Sequence, residues 1–179
     1  MKLYNNTAIP DDLLEFIIKE AAKAIKPRVR HGNVVVKVNR AGERCSGFAE
    51  RCDYVAKSWL SPRRYKGDHR RVKTDKGLIV LRVPKAGDPI LWDSHLWREP
   101  LHIASKFFDL CLHEWGHILD FQKGERFGDY NRRWANRPHE RRAECYMEEA
   151  RERGLSQSAQ TSILDLAVHL ESEAKGELK

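Results

Sequence analysis

The 179-residue sequence has no apolar run of the about 20 residues that a membrane-spanning helix needs. Its first six residues, MKLYNN, contain no apolar signal core, so export by a cleaved signal peptide is not expected. Internal repeats and low-complexity segments are also missing. These absences predict a soluble, cytoplasmic protein that makes no membrane contact, and they leave its oligomeric state open.

The four cysteines lack the C-x-x-C spacing of many metal and redox sites. Without an export signal, they are expected to be reduced thiols rather than disulfides. Cys111 and Cys145 are interpreted as packing thiols. Cys45 and Cys52 are compatible with half of a second metal site, although two ligands without partners make a weak case for one.

Apolar periodicity predicts a single α+β domain over residues 1–179. A helix begins near Asp11 or Asp12 and ends before Pro27, and β-branched strands follow at Val34–Val38 and Gly77–Pro84. Three helices come last, over about 103–122, 139–153 and 157–172, with Ser156 capping the third.

A basic segment interrupts the strand region. Between Ser61 and Gly77 it holds seven Lys or Arg residues, with Tyr65 and His69 among them. The simpler interpretation is a solvated loop on a protein of net charge +7 and pI near 9.3. Because cations interleaved with an aromatic side chain suit nucleic acid, contact with nucleic acid through residues 63–76 is the alternative.

The predicted central helix contains His113-Glu114-Trp115-Gly116-His117, an H-E-x-x-H motif. Positions i and i+4 lie on one face of a helix, so the two imidazoles of His113 and His117 are able to bind one Zn²⁺ ion. Glu114 would then be the general base that activates a zinc-bound water for peptide hydrolysis.

Two aspartates share the site face of this helix. Asp109 precedes His113 by four residues, and Asp120 follows His117 by three. Either carboxylate is placed to accept the second ring N–H of a ligand histidine, or else to be an ordinary solvated acid. Gly116 lies between the histidines and costs about 1 kcal/mol of helix stability relative to alanine, which is consistent with a functional constraint.

A third ligand is expected from a separate element, and the segment Glu140–Glu144 is the best candidate. Its two glutamates are also i and i+4, so one is able to bind zinc while the other supports a ligand histidine. His139 is the alternative third ligand.

The combination H-E-x-x-H followed by Glu140-x-x-Ala143-Glu144 resembles the gluzincin metallopeptidases. The string HEWGHILD is similar to the catalytic helix of anthrax-lethal-factor-like peptidases. The helix with the E-x-x-A motif is similar to the glutamate helix of ImmA/IrrE-type peptidases. The resemblance spans about residues 101–150. It implies a zincin-like domain with a small mixed sheet, an active-site helix and a glutamate helix, and a catalytic core over about 78–153. It assigns Glu140 as the third ligand and Glu144 as its supporting acid, where many relatives carry Asp or Asn.

The predicted function is therefore zinc-dependent hydrolysis of a protein or peptide substrate. Tyr130, Tyr146 and Arg141 are candidate oxyanion donors by position. An edge strand, assigned to Leu78–Val83, is expected to align an extended substrate. The alternative is a zinc-stabilised, non-catalytic binding module that contacts nucleic acid through the basic segment.

Overall fold

The protein forms a mixed α+β fold. The structure is a computed structural model, and it describes residues 1–30, 32–41, 45–61, 64–74, 77–86, 99–124 and 138–177. In chain order the elements are β1 (Lys2–Asn6), α1 (Asp11–Ala24), β2 (Val35–Ala41), β3 (Ser46–Glu50), β4 (Tyr54–Ala56), α2 (Lys57–Leu60), β5 (Arg71–Lys73), β6 (Leu78–Pro84), α3 (Pro100–Lys123), α4 (Pro138–Glu152) and α5 (Gln157–Ala174).

The main sheet has the strand order β1-β2-β6-β3. β1, β2 and β6 are parallel, and β3 pairs antiparallel with β6. β1 is absent from the elements predicted from the sequence, because Asn5 and Asn6 have poor strand propensity. It forms because its backbone pairs in register with β2, from Lys2 opposite Val35 to Asn6 opposite Asn39. Tertiary pairing therefore overrides the weak local preference.

The expectation that Leu78–Val83 is an edge strand is wrong. This segment lies inside β6, which pairs with β2 on one side and with β3 on the other, so both of its edges are occupied. Its run of apolar residues suits a strand that is buried on both faces. The strand that ends the sheet on this side is β3, and it packs directly against α3.

Side chains alternate across the sheet and build two separate cores. One face packs against α1, α3 and α5 through β2 and β6 residues that include Val36, Val38, Ile79 and Leu81. The opposite face is covered by the β4–α2–β5 segment. That second core consists of Val35, Val55, Leu60, Val72, Leu78 and Val80.

Most predicted helix ends agree with the structure to within a few residues. The side chain of Ser156 accepts a hydrogen bond from the Ala159 N–H, which confirms the predicted cap of α5. Gly124 ends α3 with φ +90°, a left-handed conformation that favours glycine. At α1, however, Pro10 occupies the cap position and both predicted aspartates lie in the first turn. None of the described helices has the length and apolarity required to cross a bilayer.

Candidate metal centre

Helix α3 carries the H-E-x-x-H motif through the middle of the molecule. It packs against the sheet, α1, α4 and α5, and it buries the whole of Trp115. The indole N–H of Trp115 donates to the Ile18 carbonyl of α1 at 3.0 Å, which fixes the rotation of α3. His113 and His117, two residues to either side, consequently turn toward α4 at the border of the core.

Three side chains converge at the α3–α4 contact in the geometry of a metal site. His113 Nε2 lies 3.1 Å from His117 Nε2 and 3.2 Å from Glu140 Oε2. His117 Nε2 lies 3.5 Å from the same oxygen. A tetrahedral Zn²⁺ with bonds of about 2.0 to 2.1 Å separates its ligand atoms by about 3.3 to 3.4 Å. The three observed separations bracket that spacing.

The chemistry of the donor set also fits a cation. A neutral imidazole offers a lone pair at one ring nitrogen, and an ionised carboxylate offers only lone pairs. Two imidazole nitrogens and a carboxylate oxygen at these distances therefore need a proton or a metal ion between them. The two histidines draw the pKa of Glu140 below its ordinary value. Burial acts to lower the pKa of His113, but the hydrogen bond with Glu140 prevails, and the net shift is upward.

Glu140 is the glutamate of α4 that joins the two histidines, and the three form a possible metal-binding triad. Glu144, one turn later, is exposed, and its charge acts on His113 without a short contact. His139 Nε2 lies 3.3 Å from the other oxygen of Glu140, Oε1, and its ring centroid is 5.6 Å from that of His117. His139 thus borders the triad and orients the Glu140 carboxylate.

A close approach of two small residues makes this convergence possible. A Cβ atom at Gly116 would lie 3.0 Å from Ala143 Cα, 3.3 Å from Ala143 Cβ and 3.2 Å from a ring carbon of Tyr146. Any side chain at position 116 would therefore push α4 away from α3. Ala143 is one turn beyond Glu140, so the glycine and the alanine together set how far the Glu140 carboxylate reaches.

A polar cluster joins the two helices beside the triad. Asp120 is 1% exposed and accepts from Arg142 Nε at 2.7 Å and from the Tyr146 hydroxyl at 3.3 Å. Lys123 donates to that hydroxyl at 2.8 Å. The buried charge of Asp120 is therefore compensated by α4. A hydrogen bond from the His117 ring to Asp120 stays a prediction. The contacts of Asp120 with Arg142 and Tyr146 of α4 are not predicted by the sequence.

Asp109 binds an arginine of α4 and not the ligand histidine that the sequence suggested as its partner. Its carboxylate accepts from Arg151 Nε at 2.6 Å, near the end of α4, and lies 3.9 Å from Lys106 Nζ. Arg151 in turn lies over the Phe108 ring. Within the described residues, the structure brings Asp109 to Arg151 rather than to a ring nitrogen of His113. Its carboxylate therefore joins α3 to the C-terminal end of α4.

The Glu114 carboxylate lies against β3, and the charges of His113 and Glu140 still act on it. Glu114 is 3% exposed, and the Ala49 backbone N–H donates to its carboxylate. Its Oε2 is buried and has no hydrogen-bond partner among the described residues. Burial raises the pKa of Glu114 to about 8, with the Glu140 charge adding to the shift and His113 and Ala49 opposing it. Such an acid exchanges a proton near neutral pH.

Gly47 makes room for this carboxylate. A Cβ atom there would lie 2.7 Å from the Val80 carbonyl oxygen, 3.1 Å from Glu114 Oε1 and 3.2 Å from a methyl of Leu110. The first contact is with backbone and cannot relax cheaply. Gly47 is not among the residues predicted from the sequence, because its position in a short polar strand gives no signal until β3 is placed beside α3.

The three candidate oxyanion donors differ in position. Tyr130 lies outside the described residues. The Tyr146 hydroxyl is engaged with Asp120 and Lys123, next to the triad rather than in it. Arg141 is exposed on α4, one residue after Glu140. Their role in stabilising an oxyanion stays a prediction.

The triad contains no cysteine, and Cys145, interpreted from the sequence as a packing thiol, is instead exposed on α4. Cys45 donates to the Ile103 carbonyl at 3.7 Å, and burial raises its pKa to about 12. Cys111 is fully buried in the core. Across the described residues, the only group of His, Cys, Asp or Glu with metal-binding geometry is the His113–His117–Glu140 triad. Cys45 and Cys52 therefore form no second cluster there.

Comparisons with protein-family models, with curated proteins and with solved structures found no match to this chain. The geometry of the triad and the chemistry of its neighbours consequently carry the functional argument.

Proposed function

We propose that this chain is a zinc-dependent metallopeptidase of the gluzincin type, with a zincin-like domain that cleaves peptide bonds within protein or peptide substrates. One observation carries the proposal. Three ligand atoms converge at tetrahedral spacing, and a buried carboxylate with a partnerless oxygen, that of Glu114, lies one residue along the same helix. A site that only binds metal has no need of that carboxylate.

The donor set of two imidazoles and one carboxylate favours zinc with one coordination position left open. Bound there, zinc supplies a Lewis acid for the scissile carbonyl and makes water easier to deprotonate. Glu114 takes the proton of the attacking water and passes it to the departing amine. The Ala49 N–H restrains the Glu114 carboxylate for this task, and His139 restrains that of Glu140.

β3 supplies a means of aligning the substrate. It ends the described sheet beside α3, and Gly47 and Ala49 bring its backbone to Glu114. An extended peptide that adds to this edge by main-chain hydrogen bonds would pass along the face of the site. The expected substrate is therefore an extended or locally unfolded segment rather than a helix.

The decisive experiment combines metal analysis with cleavage of a fluorogenic peptide mixture. In Glu114→Gln we expect one zinc per chain as in the wild type, and activity lower by about 10²- to 10⁴-fold. Glutamine has the size of glutamate and cannot take up the proton. Full activity in this variant would refute the assignment of Glu114, and a wild-type protein that binds no zinc would refute the metal centre.

The matched pair Glu140→Ala and Glu144→Ala tests the third ligand. We expect the first variant to lose zinc and the second to keep it, because only Glu140 reaches both histidines. Retention of zinc in both would make His139 the leading candidate.

The alternative is a zinc-stabilised binding module without turnover that contacts nucleic acid. The observation in its favour is the exposed basic segment on the far side of the sheet. Equal and negligible peptidase activity in the wild type and in Glu114→Gln, with full zinc content in both, would select it.

A further inference from the structure

The positive charge of the chain is concentrated in one short segment. Residues 51–76 contain nine Lys or Arg residues and three Asp residues, and so carry +6 of the total net charge of +7. The other 153 residues together carry +1. Because charge of one sign is concentrated in about one-seventh of the chain, it produces a positive electrostatic potential at one part of the surface.

The described part of this segment forms a surface. β4 and β5 pair antiparallel, with Tyr54 opposite Lys73, Val55 opposite Val72 and Ala56 opposite Arg71. Val55 and Val72 point inward and pack on the outer face of the main sheet. Strand alternation therefore puts Tyr54, Arg71 and Lys73 together on the outward face, where all three are exposed and Tyr54 keeps 54% of its surface in solvent.

Two aromatic rings of the adjoining elements lie next to cations. Trp59 of α2 is 43% exposed, and Lys37 Nζ lies 4.1 Å from the centre of its ring. Tyr65 has Lys57 Nζ at 5.4 Å and Arg64 Cζ at 5.5 Å from its ring centre. The outward face of β4–β5, together with α2 and residues 64–70, is called the basic ribbon below.

Little negative charge opposes the basic ribbon. The described part of residues 51–76 contains two acids, Asp53 beside the ribbon and Asp68 within it. Arg70 binds the Asp68 carboxylate through both Nε, at 3.0 Å, and Nη2, at 2.8 Å. This contact lowers the pKa of Asp68 to about 2. Asp68 is therefore ionised near neutral pH, and its negative charge balances the positive charge of Arg70. Arg64, Lys66, Arg71 and Lys73 are exposed around it.

We propose that the basic ribbon binds single-stranded nucleic acid. Phosphates pair with the exposed cations, and unstacked bases lie on the open faces of Tyr54 and Trp59, as in sequence-tolerant single-strand sites. A duplex fits less well, because it hides its base faces. The only described helix in the ribbon, α2, has four residues and is too short to read a groove.

The ribbon is independent of the metal centre. It packs on the sheet face that carries Val35, Leu78 and Val80, whereas α3 packs on the face that carries Val36, Ile79 and Leu81. The metal site opens at the α3–α4 contact, away from β4 and β5. Binding at the ribbon therefore does not require the peptidase proposal, and each proposal survives failure of the other.

The test is fluorescence anisotropy of the full-length protein, with zinc and with a chelator, and with labelled 20-mers of dT, of U and of duplex DNA, at several salt concentrations. We expect tighter binding to single strands than to duplex, with affinity falling as salt rises. Whichever of the dT and U strands binds more tightly identifies the kind of strand. Equal or tighter binding to duplex would overturn the proposal, as would tighter binding to vesicles of one-quarter phosphatidylserine.

Two variants locate the surface. Arg71→Gln with Lys73→Gln should weaken single-strand binding about 10-fold or more and reduce the salt slope by about 1.4, for two lost phosphate contacts. Tyr54→Ala, which leaves the charge unchanged, should weaken it roughly 5- to 100-fold through lost stacking. The control Lys19→Gln with Lys175→Gln removes the same charge from α1 and α5 and should change binding less than twofold.

A ribbon variant that binds as wild type, or a control that loses as much as the ribbon double variant, would overturn the proposal. Far-UV circular dichroism and the urea midpoint check that every variant is folded. A variant that fails this check is replaced by the single change Lys73→Gln, for which about a threefold loss is expected.

Discussion

The two faces of the sheet carry two kinds of site. On one face, the candidate metal centre joins α3 and α4 through three ligand atoms 3.1 to 3.5 Å apart, with Gly116 against Ala143 and Asp120 buried. On the other, the basic ribbon displays exposed cations and rings on a short two-stranded hairpin. The first depends on packing, and the second depends on composition.

This difference predicts how each site responds to change. Packed interiors transmit strain, so a single added methyl group at the α3–α4 contact should act on all three ligands together. Exposed charges act through solvent and add nearly independently, so no single cation of the ribbon should be indispensable. Substitutions at the two sites test this contrast.

The largest effect is expected from truncating a buried aromatic side chain. Trp115→Ala should lower the free energy of unfolding by about 3 to 5 kcal/mol, because it leaves a cavity and removes the hydrogen bond between the indole N–H and the Ile18 carbonyl. The matched exposed change, Tyr54→Ala, should cost less than about 0.5 kcal/mol. Urea denaturation of both variants measures the contrast, and equal losses would contradict the assignment of Tyr54 to a surface.

The next effect separates metal affinity from stability. Gly116→Ala places a methyl group 3.0 Å from Ala143 Cα, so α4 must shift and carry Glu140 away from the histidines. Zinc affinity should fall about 10- to 100-fold, as when groups that orient metal ligands are lost. Because alanine favours the helix by about 1 kcal/mol, the metal-free protein should lose little stability.

Gly32→Ala is the control for this change, since a Cβ at position 32 meets nothing within 4 Å. Chelator competition gives the zinc affinity of both variants. Wild-type affinity in Gly116→Ala would show that the interhelical distance does not set the triad.

The third effect is a pH dependence of metal binding. In the metal-free protein the pKa of His113 is raised by Glu140, so a proton occupies the triad above the usual pKa of histidine, 6.5. Zinc must displace this proton, and its affinity should therefore keep rising with pH above 6.5. Glu140→Gln should bind more weakly throughout and level off at lower pH. Chelator competition from pH 6 to 8.5 measures both curves, and a wild-type plateau already at pH 6.5 would contradict the coupling.

The same pair sets a window for the stability of the metal-free protein. The depressed pKa of Glu140 gives stability above its unfolded value of 4.5, which is lost as pH falls through the folded pKa. The raised pKa of His113 gives stability below 6.5, which is lost as pH rises through the folded pKa. The ion pair therefore contributes most between about pH 4.5 and 6.5.

The sequence predicted the parts of the molecule in which local pattern and function coincide. Helical periodicity placed His113 and His117 on one face of α3. Ser156 begins α5 as a hydrogen-bonding cap, and Gly124 ends α3 in the left-handed conformation that glycine favours. It did not predict β1, whose asparagines pair only because β2 lies alongside, or the interior position of β6. The partners of Asp109 and Asp120 on α4 were also out of reach, because contacts between helices depend on how the helices pack and not on spacing within either one.

The smallest effect concerns a single pair in the basic ribbon. Asp68→Asn leaves an oxygen that still accepts from the Arg70 N–H, so the turn keeps its backbone contact. It also removes the negative charge that occupies the Arg70 guanidinium, and thereby adds one cation to the surface. Single-strand affinity should rise about two- to fivefold at low salt, and the salt slope should steepen by about 0.7. An unchanged affinity and slope in anisotropy titrations would mean that Asp68 does not limit the contact of Arg70 with phosphate, and that the ribbon gains nothing from charge alone.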